Sequence, residues 1–160
     1  DVLSVFRDLP GMGTRLPHGG TFNANPITMT AGLAAMEAMT DDAFARLNAL
    51  GEEARRAVGE VFVRLGIPGQ VTGTGSLFRI HLHDRPVHTV RDSALSQGES
   101  ARLSVLRDRL IDRGLFLGSN CIACLSTASR SAHVDRLCDA LSDLLPTLPM
   151  PSDPPSAASG

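Results

Sequence analysis

Apolar and polar positions along this chain change their period several times, and each change predicts an element. Residues 26–39, PITMTAGLAAMEAM, place Ile27, Ala31, Ala34 or Ala35 and Ala38 at helical spacing. Pro26 suits the first turn, where the N–H it lacks would be unpaired anyway. The small residues predict close packing of this helix against a neighbour. Thr40, Asp41 and Asp42 can cap a second helix that runs to about Leu65. Its apolar stripe is Phe44, Leu47, Leu50, Ala54, Val58, Val61, Phe62 and Leu65. From Gln70 to Leu82, QVTGTGSLFRIHL, the period drops to two. That predicts strands at 71–72 and 77–82 with a glycine bend at 73–75. Residues 83–99 read as a polar loop. Leu103, Leu106, Leu110 and Ile111 share one face of a helix over about 100–113, which Gly114 stops. Residues 115–117 and 122–126 read as short apolar strands. The last helix, 132–145, turns Val134, Leu137, Leu141, Leu144 and Leu145 inward. At the start, residues 1–8 read as the end of a helix broken by Pro10, Gly11 and Gly13.

This order of elements is α/β or α+β, a small sheet covered by helices. A compositional seam at 66–69 separates the helical residues 1–65 from the strand-containing residues 66–145. The Pro- and Ser-rich residues 146–160 read as a disordered tail.

Composition narrows the function. The chain is 160 residues long, 42% hydrophobic and 20% charged, the profile of one ordinary folded domain. A net charge of -2, with no Trp and no Tyr, gives neither the electrostatic footprint nor the stacking platforms of a nucleic-acid binder. No apolar run approaches the roughly 18 residues that span a bilayer. Three cysteines, Cys121, Cys124 and Cys138, point to a reduced, cytoplasmic setting. Cys121 and Cys124 form a C-x-x-C, which can be a redox pair, half a zinc site, or simply small packed side chains; the last is the preferred reading, and no metal is expected. Every one of the 15 basic residues is arginine, so these residues cannot complete lysine Schiff-base chemistry. The chain begins at Asp1, inside a helical pattern and without an initiator methionine. It is therefore read as a piece of a longer protein.

The densest candidate chemistry is His18–Pro26, HGGTFNANP. Gly19 and Gly20 allow close backbone approach, Thr21 offers a hydroxyl, and a helix start follows. Helix N-termini attract phosphate. Residues of this kind also serve as plain helix caps, with Asn23 or Asn25 in that role. Arg79 could fork a substrate carboxylate or stand as an exposed strand arginine. His81 and His83 read as surface residues. Ser126 and Ser129 lack a nucleophile elbow. Residues 73–76, GTGS, lack the lysine and the helix of a phosphate loop and read as a bend.

The segment HGGTFNANPITMTAGLAAMEAM resembles the G-T-x-x-x-N-P signature of class III pyridoxal-phosphate aminotransferases, closest to the glutamate-1-semialdehyde 2,1-aminomutase group. VTGTGSLFRIHL is similar to that family's V-x-G-x-G-S-x-F strand pair. RLIDRGLFLGSNCIACLSTA and SAHVDRLCDAL resemble its closing blocks. The resemblance runs in register from about residue 1 to 145. It implies the C-terminal part of a fold type I transferase: 1–65 the end of the large domain and a connecting helix, 66–145 the small domain. It also implies pyridoxal 5'-phosphate as cofactor and a small amino or keto acid as substrate. Gly20 and Thr21 would touch the cofactor phosphate across a homodimer interface that shares the active site.

The family's Schiff-base lysine, its aspartate on the pyridine nitrogen and its glycine-rich turn lie upstream of the matched blocks. No catalytic residue is therefore expected in this segment, and the segment alone should be inactive. Residues 120–129, NCIACLSTAS, replace the acidic residue and the histidine of the aminomutase run, which favours a related aminotransferase. The alternative is a non-catalytic interaction module derived from the same fold.

Overall fold

Asn25 fixes where the first helix begins. The computed structural model describes residues 8–9, 13–14, 20 and 22–149. In it the Asn25 side chain accepts hydrogen bonds from the N–H groups of Ile27 (3.0 Å) and Thr28 (3.3 Å). These are two of the donors that a helix start leaves unpaired. Helix α1 then runs Pro26–Ala38. None of its residues is buried; Ile27 and Met36 are 80% and 76% exposed. The close packing expected of this small-residue helix is not made among the described residues.

Two compact units divide the chain, Asp1–Thr40 and Asp41–Gly160. In the first, α1 is preceded by a two-residue ladder, β1 (Asp8–Leu9) against β2 (Gly13–Thr14), antiparallel. The helix end expected over 1–8 is corrected at Asp8, which lies in that ladder; residues 1–7 lie outside the described residues.

The second unit is built on helix α2, Asp41–Leu65. Ala54, Val58, Val61 and Phe62 are buried at helical spacing, and Leu50 and Leu65 pack beside them. Phe44, expected in that stripe, is half exposed. Three antiparallel strands follow in the order β3 (Gln70–Thr74), β4 (Leu77–His81), β5 (Ile122–Cys124). A two-residue loop joins β3 to β4, with Gly75 left-handed (φ 53°) at its first position. The division at Thr40–Asp41 falls before the compositional seam at 66–69, because α2 packs its stripe on β3.

The two faces of the sheet differ. Phe78 and Ile80 share one face and are almost fully buried, in a core with Val58, Leu106, Leu110 and Leu141. Gln70, Thr72, Arg79 and His81 share the other face, by register and alternation. The segment 83–96 lies over that face. Gln70 Nε2 donates to the carbonyls of His83 (3.2 Å) and Arg85, and Arg79 Nη2 to that of Ser93 (3.5 Å).

Helix α3 spans Gln97–Asp112, three residues earlier than the apolar pattern indicates. Ser96 and Glu99 make a reciprocal capping box, Glu99 N–H to Ser96 Oγ (3.2 Å) and Ser96 N–H to Glu99 Oε2 (2.9 Å). Residues 115–117 are not a strand: Leu115 N–H closes onto Leu110 C=O (2.9 Å), which ends α3. Of the two strands expected over 115–117 and 122–126, Ile122–Cys124 forms and pairs with β4, and Ile80 N–H extends the ladder to Cys121 C=O at 3.1 Å. Helix α4 is Ser131–Leu144, with Val134, Leu137, Leu141 and Leu144 buried. The tail expected to be disordered over 146–160 is corrected at its start. A 3-10 turn, Leu145–Thr147, follows α4, and Leu148 is buried in the core. Residues 150–160 lie outside the described residues.

Candidate cofactor site

The stretch before α1 is a turn. Gly20 C=O accepts from Asn23 N–H (3.1 Å), and Phe22 C=O from Asn25 N–H (3.2 Å). Ala24 is left-handed at φ 55°, an uncommon and costly conformation for a residue with a Cβ. Gly20 is exposed. Thr21 lies outside the described residues. The donor chemistry fits a phosphate in one respect and restricts it in another. An exposed turn with glycine offers backbone N–H groups to an anion. The first N–H groups of the helix are already taken by Asn25, however, so an anion here would be held by the turn rather than by the helix end. The cap reading of Asn25 thus holds whichever role the turn has.

Arg79 is half-buried rather than free on the strand. Its Nε donates to Asn120 C=O (3.2 Å) and its Nη2 to Ser93 C=O. It pins the 83–96 segment and the loop before β5 to the polar face of the sheet. Nη1 takes no part in these bonds.

His81 and His83 are not surface residues: both are buried. Their rings meet edge to face with centroids 5.3 Å apart. His81 Nε2 and Thr72 Oγ1 are hydrogen-bonded at 2.9 Å, while His81 Nδ1 and both ring nitrogens of His83 have no partner among the described residues. Burial pushes the His81 pKa down to about 4, helped by the nearby Arg79 charge and by His83. His83 is lowered too, by burial and then by Arg85. Alternation alone cannot show this burial, because the covering segment 83–96 is polar in sequence.

The C-x-x-C pair is split. Cys121 is fully buried, and its thiol is pushed up to about 11 by burial; Cys124 is exposed. A thiol so disfavoured as thiolate is a packed side chain, not a redox nucleophile. Among the described residues no group of His, Cys, Asp or Glu could hold a metal ion. The GTGS segment is the bend expected: Gly75 C=O accepts from Arg55 Nη1 at 2.7 Å.

Searched against protein families, the chain matches no family model. It is 48% identical to an omega-transaminase from Sphaerobacter thermophilus, over 91% of this chain and 33% of that one, with a TM-score of 0.76. A transaminase solved with PLP bound matches at 29% identity over 91% of this chain and 32% of the other, with a TM-score of 0.68. Glutamate-1-semialdehyde 2,1-aminomutase of Opitutus terrae is 34% identical over 79% of this chain and 30% of its own length. The chain therefore spans about a third of the length of the relatives it matches. The family's cofactor is pyridoxal 5'-phosphate, and solved members carry it or its amine form. Across its matched length the chain's homologues are transaminases and glutamate-1-semialdehyde aminomutases, and its structural neighbours are class III pyridoxal-phosphate aminotransferases.

Proposed function

We propose that this chain is the C-terminal segment of a transaminase that moves an amino group between small amino and keto acids. The observation that carries the reading is the 48% identity to an omega-transaminase over 91% of the chain. The replaced run at Asn120–Ser129 supports transamination over the aminomutase reaction. Residues 1–65 are assigned to the end of the large domain and a connecting helix, and 66–145 to the small domain. The assembly is a cytoplasmic homodimer with a shared active site.

Bound there, the cofactor supplies the electron sink for bond breaking at the amino-bearing carbon. The chain's own contribution is positional. Gly20 and Thr21 hold the cofactor phosphate through backbone N–H and hydroxyl groups. Asn25 keeps that turn fixed to α1. Arg79 is the candidate for a substrate carboxylate, through the Nη1 group left by its bonds to Asn120 and Ser93. With no lysine, the chain by itself should not transaminate.

The test is a chimera in which these residues replace the matching third of the Sphaerobacter thermophilus omega-transaminase. It should bind the cofactor and turn over. Thr21→Ala should weaken cofactor affinity by about tenfold or more, the value of a hydrogen bond to a charged group. Unchanged affinity would remove Thr21 from the site. Robust turnover by the isolated chain would refute the lysine argument. A second reading, a non-catalytic interaction module, is favoured by the exposed apolar side chains of α1. It gains if the chimera folds and dimerises but takes up no cofactor.

A further inference from the structure

The strongest unexplained feature of the second unit is a cation with no counterion. Arg102, on the inner side of α3, is 9% exposed. Its Nε is buried without a hydrogen bond, and among the described residues no carboxylate pairs with it. Glu99, one turn earlier, would be its natural partner. That carboxylate is already held by both Nη groups of Arg85 and by Ser96 N–H. A buried charge left alone is costly. His83, 5% exposed, lines the same cleft with both ring nitrogens unpartnered among the described residues.

Both side chains line a cleft of about 460 Å³, within the range of small-molecule sites. Its walls are otherwise largely apolar: Leu65, Ile67, Leu82, Leu145 and Leu148. Asp84 lies exposed at the rim. One buried cation, one neutral donor and a hydrocarbon wall are complementary to a single carboxylate on an aliphatic chain. The Asp84 charge repels a second anionic group, and a doubly charged phosphate would leave one of its charges uncompensated by the single cation. We propose that this cleft binds an aliphatic monocarboxylate, its carboxylate on Arg102 and His83 and its chain along Leu82 and Leu148. The cleft is lined by residues of the second unit alone, and the proposal stands whether or not Gly20 and Thr21 hold a cofactor.

Sodium octanoate is the probe, titrated calorimetrically into the 160-residue chain near neutral pH, with acetate and octan-1-ol as comparators. One saturable site is expected, with both comparators weaker by about tenfold or more. The resonances of the His83 ring should shift on titration. Arg102→Met should weaken octanoate by about tenfold or more. Removing an unpaired buried charge should leave the circular dichroism spectrum intact. If that variant nevertheless unfolds, Leu82→Trp, which fills the wall, should also abolish binding. Octan-1-ol binding as tightly as octanoate, no saturable site, or wild-type affinity in a folded Arg102→Met would overturn the proposal. So would binding that appears only after deletion of residues 150–160, which would assign the cleft to the chain's own tail.

Discussion

Gly51 lies in the interior of α2, where changing glycine to alanine ordinarily stabilises a helix by about 1 kcal/mol. At this position the added Cβ would stand 1.9 Å from the carbonyl oxygen of Gly75 and 2.9 Å from its carbonyl carbon. Both atoms are backbone at the tip of the β3–β4 hairpin, so no rotamer change relieves the contact. The tip must retreat by more than an ångström. The same carbonyl accepts the Arg55 Nη1 bond at 2.7 Å, which that retreat would break. Overpacking costs roughly 1–3 kcal/mol, and a lost hydrogen bond to a charged donor roughly 1.5–3. Against the propensity gain, the net loss for Gly51→Ala is about 1.5–5 kcal/mol. Gly59 provides the internal control: it is in the same helix, and a Cβ there meets nothing within 4 Å. Gly59→Ala should therefore stabilise by about 1 kcal/mol. Urea unfolding followed by circular dichroism measures both. If Gly51→Ala is as stable as Gly59→Ala, the packing of α2 on the hairpin is not as described and the argument fails.

Acid should weaken the fold through His81. Its folded pKa of about 4 lies below the unfolded value of 6.5, so between these pH values the unfolded chain binds a proton that the folded chain refuses. Stability is then full above the unfolded value and falls as pH drops toward 4, by up to about 3 kcal/mol. His81→Gln should flatten that slope, although His83 keeps a part of it in the same direction; an equal slope in both proteins would refute the assignment. Hydrogen exchange of the isolated chain should be uneven. Amides of α1, which buries no residue, should exchange quickly, and those of residues 77–82 slowly. Equal protection in the two regions would mean that α1 is an integral part of a complete domain.

The sequence determined whatever depends on local periodicity and chain punctuation. The four helices, the β3–β4 hairpin and the left-handed Gly75 follow from apolar spacing of 3.6 or 2 and from glycine placement, as do the inward leucines of α3 and α4. The Ser96–Glu99 capping box lies within residues read as a polar loop, because the apolar pattern places the start of α3 at about residue 100. The turn at Gly20 and the cap at Asn25 could be read from HGGTFNANP, but whether that turn holds a phosphate could be approached only through family resemblance. What the tertiary structure decided is whatever depends on residues distant along the chain. His81 and His83 look like surface histidines by alternation. They are buried because segment 83–96, polar in sequence, folds over the second face of the sheet. Residues 115–117 have the composition of a strand and form none, because Leu115 closes onto α3 and only Ile122–Cys124 reaches β4. Arg102 stands four residues before Leu106, so helical spacing places it on the apolar side of α3, but spacing alone does not show whether a carboxylate meets it there. Periodicity reports which face of an element is apolar. The partner of a buried charge is a property of where other segments end up, and that is set by packing.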